Sequence, residues 1–191
     1  VSEGMRIWTN TPAVVELRRT VLELLLSDHP FECLVCEKSL DCELQALAQR
    51  FGMISLHYTG KKSSRPVDVS SMAIKRNPDK CIMCRRCETA CNEIQTVGVL
   101  SGYGRGFDAV VAPPGMKPLE DTVCVFCGQC VNVCPTAALT EMSYIREVWR
   151  ALGDPSKTVI CQTAPAVRSA IGQEFHMPEG EIVTGRLVAG L

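Results

Sequence analysis

Eight of the 12 cysteines fall into two runs of identical spacing. Cys81, Cys84, Cys87 and Cys91 form C-x2-C-x2-C-x3-C; Cys124, Cys127, Cys130 and Cys134 repeat it, with Pro135 following. A third constellation, His29, Cys33, Cys36 and Cys42, reads H-x3-C-x2-C-x5-C. Thiolates and a neutral imidazole are soft and borderline metal ligands, so these spacings point to metal chemistry. The competing uses of cysteine fit poorly. Structural zinc prefers isolated C-x2-C pairs. Disulfides require opposed partners, which cysteines three apart around one loop cannot all find.

The doubled run is the spacing of bacterial two-cluster proteins, in which the fourth cysteine of each run ligates the other [4Fe–4S] cube. Three thiols at two-residue intervals wrap a loop around one cube and turn backbone N–H groups toward its sulfides. The fourth begins or lies on a helix heading to the other cube. Cys81, Cys84, Cys87 and Cys134 are therefore expected to share one cluster, and Cys124, Cys127, Cys130 and Cys91 the other. Asn92 stands where Pro135 stands in the second run, which leaves the first turn's shape open.

In the third constellation, an imidazole replacing one thiolate makes the cluster less negative by one charge and favours adding an electron. Cys161 could replace His29 and fill three cubes with thiolate alone. It follows an apolar Thr158-Val159-Ile160 segment without neighbouring ligands and reads better as a buried, inert thiol. His57 and His176 lack ligand neighbours and read as ordinary surface or core histidines. Lys75, Arg76, Lys80, Arg85 and Arg86 crowd the first run. The plain expectation is a solvated face; the sharper one is that they raise a cluster potential or dock an acidic partner. No general acid, base or nucleophile constellation appears, so no catalytic residue is nominated.

Several elements must position these ligands. Thr11 to Ser27 reads as an amphipathic helix with Thr11 capping, Pro12 in the first turn, and Val14, Leu17, Val21, Leu24 and Leu25 on one face. His29-Pro30 ends it. A second helix is expected over Cys42–Phe51, stopped by Gly52. Gly60 to Ser71 looks like a linker. Asp79 to Thr140 is an internal repeat with a short strand over Asp108–Ala112, in the manner of a pseudo-symmetric α+β domain. Glu141 to Leu152 reads as a helix, Thr158 to Cys161 as a short buried strand, and Thr163 to Phe175 as another helix. That order looks like the first unit of an α/β layer whose remainder lies elsewhere.

The totals bound the rest. With 20 Lys+Arg against 21 Asp+Glu, the 191-residue chain carries a formal net charge of −1 and 5% aromatics, so nucleic acid is a poor partner. The longest apolar stretch, Val21 to Leu26, is too short to span a bilayer, and no signal-peptide pattern opens the sequence. The start at Val1 and the end at Leu191 suggest a processed chain or a piece of something longer.

The order of motifs resembles a known family. "SDHPFECLVCEKSLDCELQALA", the two four-cysteine runs and "TAPAVRSAIGQEF" together look like a multi-cluster [FeFe] hydrogenase, in particular the catalytic subunit of NAD(P)-linked, electron-bifurcating hydrogenases. "VSEGMRIWTNTP" is similar to the segment after that family's N-terminal [2Fe–2S] domain. The resemblance covers essentially the whole chain and implies an α+β fold. A small helical His/Cys cluster domain occupies 1–60, a linker 61–72, a ferredoxin-like domain with two [4Fe–4S] clusters 73–141, and the start of the α/β hydrogenase domain 142–191.

It further implies an electron relay through three [4Fe–4S] clusters, serving H2 oxidation or proton reduction coupled to NAD(P)H or ferredoxin. The [2Fe–2S] and diiron active-site clusters would belong to parts of the parent protein outside these residues, since the diiron cysteine motifs do not occur here. Implied partners are a flavin- and NAD(P)-binding iron–sulfur subunit and a small [2Fe–2S] subunit, or ferredoxin, within a hetero-oligomer. Reduced thiols imply a cytoplasmic setting. His176 departs from the family's usual glycine. Alternatives are a non-catalytic electron-transfer subunit or the iron–sulfur part of a formate dehydrogenase. The large iron–sulfur subunit of respiratory complex I shares the His/Cys run but typically lacks a complete second ferredoxin run.

Overall fold

Thr11 opens the first helix, α1 (Pro12–Asp28), by accepting a hydrogen bond from the Val14 N–H at 3.3 Å. Pro12 fills the first turn, where its missing N–H costs nothing. His29 closes the helix in extended conformation. A computed structural model describes residues 2–191, which divide into two compact units, the first ending at Met142 and the second running over Ser143–Leu191.

The buried face of α1 differs from the stripe expected from periodicity. Leu22, Glu23 and Leu26 are buried, whereas Leu17, Val21 and Leu24 are at least half exposed. Leu22 and Leu26, four apart, pack with Leu44 of helix α2 (Glu43–Arg50). The run Leu-Glu-Leu-Leu-Leu is apolar around most of the helix, so contact with this one short partner selects the face. Cys42 is the N-cap of α2, and Phe51 with left-handed Gly52 ends it. Residues 60–67 carry no helix or strand. Asp68 then bridges to Arg76, and buried Ser71 accepts from the N–H groups of Ala73 and Ile74.

Within the same unit, four three-residue strands make two antiparallel pairs. Strand β1 (Ile74–Arg76) pairs with β4 (Leu139–Glu141), placing Ile74 opposite Glu141; β2 (Ser101–Tyr103) pairs with β3 (Val110–Ala112), placing Ser101 opposite Ala112. A cysteine run and a short helix lie between β1 and β2, and again between β3 and β4. The helices are α3 (Arg86–Thr89), running on into a π turn over Ala90–Ile94, and α4 (Gln129–Asn132). Ile74, Val99, Leu100, Val111, Leu119, Val131 and Leu139 form the core beneath both runs. The result is mixed helix and strand, α+β, with the internal repeat visible as a doubled strand–cysteine run–strand order.

Ser143–Leu191 contains three helices, α5 (Ile145–Leu152), α6 (Pro165–Glu174) and α7 (Thr184–Gly190). Glu141, expected at the start of a helix, instead ends β4. The strand expected over Thr158–Cys161 is absent among the described residues. That segment is irregular, Ile160 is 86% exposed and Cys161 is exposed rather than buried. With no neighbouring strand to pair, apolar β-branched residues alone do not make a sheet. His176 adopts φ +56, and the Met177 N–H reaches Gly172 O at 3.0 Å while the His176 N–H reaches Gln173 O at 3.0 Å. This is a Schellman stop for α6, so the histidine takes the left-handed turn that a glycine would take.

Candidate metal centres

The two cysteine loops share an uncommon backbone. Met83 and Arg85 in the first, and Phe126 and Gly128 in the second, have positive φ, before and after the second cysteine of each run. Such alternation turns successive N–H groups inward and makes a cradle for negative charge. In the first loop the Met83 N–H approaches Cys81 Sγ at 3.4 Å. Arg85 occupies the left-handed position that is glycine in its twin. It forms a two-point ion pair with Glu88, and its guanidinium lies where a Cβ on Gly102 would meet it at 3.3 Å.

Two narrow cavities result. Cys81, Cys84, Cys87 and Cys134 line the first, and Cys91, Cys124, Cys127 and Cys130 line the second. Leu100 and Leu139 face both, forming a dry partition. The π turn aims Cys91 at the second cavity. Gln95 N–H bonds Ala90 O at 2.9 Å, the wide turn itself, and Val99 N–H approaches Cys91 Sγ at 3.4 Å. Asn92 settles the turn after Cys91 by donating its side-chain amide to Leu100 O at 2.9 Å. Beside Cys134, Thr136 is buried and lies 3.9 Å from its sulfur.

Burial, with the neighbouring cysteines adding to it, pushes the Cys87 and Cys130 thiols up to about 12 and raises Cys81 and Cys124. Four thiols in a dry cavity resist becoming thiolates unless positive charge arrives with them, as metal supplies. Among the described residues no three His, Cys, Asp or Glu side chains converge as ligands of a single ion would. The donors instead surround a space, which fits a cube whose irons each take one thiolate. The cavities differ in charge. Arg76 and Arg85 line the first; the second carries no Asp, Glu, Lys, Arg or His. Buried Arg76 lies 3.8 Å from Asp68, and its Nε has no hydrogen-bond partner.

The third site is more open. His29, Cys33 and Cys42 line a cavity of about 520 Å³. Cys33 is exposed and Leu34 is 98% exposed. Burial, followed by the charges of Lys80 and Lys62, holds the His29 imidazole below its usual pKa, which favours the neutral form that ligates. Cys36 is not on that wall; its sulfur accepts from Lys80 Nζ at 3.6 Å. His57 bonds Glu23 through its backbone N–H and through Nδ1 at 3.0 Å, while His176 serves the Schellman turn.

The solvated basic face expected around the first run forms only in part: Arg85 and Arg86 are exposed, whereas Arg76 and Lys80 are buried. Each cation has an acidic neighbour within the chain: Lys75 and Lys80 share Glu37, Arg76 has Asp68, Arg85 has Glu88 and Arg86 has Glu43. Lys80 is 5% and Arg76 7% exposed. Three of these pairs join the His/Cys region to the ferredoxin-like region, as does the Glu43 N–H bond to Pro135 O at 3.0 Å. Sequence reasoning missed the burial of Lys80 and Arg76, for which the only signal was proximity to Cys81.

Residues 18–56 match the NADH-ubiquinone oxidoreductase-G iron–sulfur binding region, and residues 120–140 match the 4Fe-4S binding domain. The chain is 57% identical over its whole length to the NADP-reducing hydrogenase subunit HndD of Solidesulfovibrio fructosivorans, and 33% identical to iron hydrogenase 1 of Clostridium pasteurianum, covering 33% of each. The mitochondrial NADH-ubiquinone oxidoreductase 78 kDa subunit of Neurospora crassa is 32% identical over 75% of the chain and 19% of its own length. A crystal structure of an NAD+-reducing [NiFe]-hydrogenase in the H2-reduced state superposes with a TM-score of 0.68 at 28% identity, over 75% of this chain and 61% of that one. The chain spans about a third of the length of the hydrogenase relatives, and over all 191 residues it is homologous to these NADP-reducing and iron hydrogenase subunits, with iron–sulfur binding regions in both its His/Cys and its ferredoxin-like part.

Proposed function

We propose that the chain is the iron–sulfur electron relay of an [FeFe] hydrogenase that couples H2 oxidation or proton reduction to NAD(P)H or ferredoxin. The observation that carries the relay is the sorting of eight cysteines into two cavities in the crossed pattern, 81/84/87/134 and 91/124/127/130. The hydrogenase assignment rests on the similarity to the two hydrogenase relatives. In this reading each set holds one [4Fe–4S] cube and His29, Cys33, Cys36 and Cys42 hold a third. A bound cube takes up and releases one electron at a time. The residues around it do the rest. Left-handed loops present N–H groups, Leu100 and Leu139 keep water out between the paired sites, and the Glu43–Pro135 and Lys80 contacts hold the third site beside them.

The diiron centre where H2 would react lies outside these residues, as does any flavin- and NAD(P)-binding partner subunit. A reducing cytoplasm suits twelve free cysteines. No described helix is long and apolar enough to cross a membrane. A non-catalytic electron-transfer subunit is the second reading, favoured by the NADH-ubiquinone oxidoreductase relative.

Iron and sulfide quantitation on anaerobically prepared protein tests the cluster reading. About twelve of each per chain are expected, with His29→Ala removing one reduced-state EPR signal. Clearly fewer irons, or stoichiometric zinc, sinks it. H2 evolution from reduced viologen separates the enzyme from the subunit that only accepts electrons.

A further inference from the structure

Lys80 is a lysine with almost no access to water, an unusual place for an ammonium. Its backbone cannot shift to relieve this. Asn77 caps the short turn Pro78–Lys80 and is itself tied to Ala138 O at 2.8 Å, while the Lys80 carbonyl accepts the buried Thr136 hydroxyl at 2.7 Å. Its side chain runs away from the ferredoxin-like core to the other region and ends against Cys36 Sγ at 3.6 Å and Glu37 Oε2 at 3.2 Å. The compensation is incomplete. Glu37 also binds Lys75, so one carboxylate faces two ammonium groups, and Glu32 stands 4.0 Å off and 62% exposed. Counted with Glu32, two ammonium groups meet two carboxylates, but Glu32 is largely in solvent. The buried Lys80 ammonium is therefore the charge held against the Cys36 sulfur and is the less screened partner.

Taking Cys36 as a cluster ligand, as proposed above, we infer that Lys80 is a positioning residue that raises the reduction potential of the cluster held by His29, Cys33, Cys36 and Cys42. It does so by donating to a ligand sulfur and setting a fixed charge against the incoming electron. Hydrogen bonds to ligand sulfurs and net charge are two of the levers that set such potentials. The step is a one-electron reduction by an external low-potential donor such as reduced viologen. No bond forms or breaks, and no proton is taken up, because the compensating charge is already in place. Lys80 also immediately precedes Cys81, so it stands between the third site and the first ferredoxin-type cavity. Its charge thus favours electrons on that side of the relay.

The test is an EPR-monitored redox titration of the anaerobically purified protein, following the signal that His29→Ala abolishes. Lys80→Met keeps the length of the side chain and removes the charge. It is expected to shift the midpoint downward by about tenfold in the reduction equilibrium, which is 59 mV for a one-electron couple. Lys80→Arg should restore most of the shift. Glu37→Gln leaves Lys80 uncompensated and should move the midpoint upward. A merely structural role would give no such opposition of sign.

Should Lys80→Met fail to assemble the cluster, the Glu37→Gln and Lys80→Arg variants still decide. An unchanged midpoint in Glu37→Gln, or downward shifts in both the Lys80→Met and Glu37→Gln variants, overturns the inference. A His29→Ala protein that keeps every signal instead overturns the reading of the third site.

Discussion

The ferredoxin-like region and the His/Cys region offer four donors to each site in opposite surroundings. In the former, cysteines are part of the core. Cys87 and Cys134 are buried beside Ile74, Val111 and Leu139, and two short strand pairs close the repeat around them. In the latter, the buried core is three leucines, Leu22, Leu26 and Leu44, and Leu34, Val35 and Leu40 between the ligands are more than 80% exposed. The ferredoxin-like region therefore shapes its sites by packing. The His/Cys region has too little apolar burial to do so and borrows rigidity chiefly through Lys80 and Pro135.

The sharpest way to break this contrast is to remove one leucine from each region. Leu139 is 4% exposed and faces both paired cavities. Leu139→Ala should cost about 2–5 kcal/mol, the range for a buried Leu that leaves a cavity. It should also disturb both ferredoxin-type signals at once. Leu34→Ala, at a fully exposed site, should stay within about 0.5 kcal/mol. Denaturant unfolding of both variants under anaerobic conditions checks the pair. Similar losses would mean that the open region is packed as tightly as the closed one.

A smaller effect is common to both parts of the chain and comes from their shielded acids. Burial opposes the Asp68 carboxylate, yet bonds from Ser70 and from the Leu119 N–H, with Arg76 nearby, hold its pKa below the usual value. Glu23 is lowered chiefly by the His57 N–H. A depressed folded-state pKa means the stabilisation is complete above the unfolded value, about 4, and is lost as pH falls through the folded one. Both regions should weaken on acidification. Asp68→Asn should cost about 1–3 kcal/mol near neutrality, the scale of hydrogen bonds to a buried charge, and should flatten the acid limb. Unfolding midpoints across pH 3–7 read this directly. An unaltered acid limb in Asp68→Asn would assign the acid sensitivity of this region to other groups.

What could be read beforehand follows the same division. Local signals worked where local physics decides. Thr11 and Pro12 marked the start of α1, Gly52 the end of α2, and the cysteine spacing anticipated the grouping seen in the two cavities. Long-range packing was invisible. The run from Val21 to Leu26 offers apolar residues on nearly every face, and only contact with Leu44 picks Leu22 and Leu26. Thr158–Cys161 has strand-like composition but no pairing strand. Lys80 and Arg76 looked like solvent residues because sequence carries no sign that Glu37 and Asp68, each on a separate segment, come to meet them. His176 shows the reverse case. Backbone hydrogen bonds impose the left-handed turn even without the glycine.

The mildest probe concerns the contacts that join the two regions. Arg86 and Glu43 form a two-point pair at 2.5 and 2.9 Å, which looks strong on geometry alone. Both side chains are about half exposed, 49% and 56%, so water and salt screen the attraction, and ordering two long side chains costs entropy. Glu43→Gln should therefore cost less than about 1 kcal/mol, with the difference from the parent shrinking further at high salt. The Glu43 N–H would still bond Pro135 O, since that contact belongs to the backbone and caps α2 whatever the side chain. Thermal unfolding at low and high ionic strength measures the difference. A loss well above that value, insensitive to salt, would place the coupling of the two regions in this surface pair rather than in buried Lys80 and the Pro135 carbonyl.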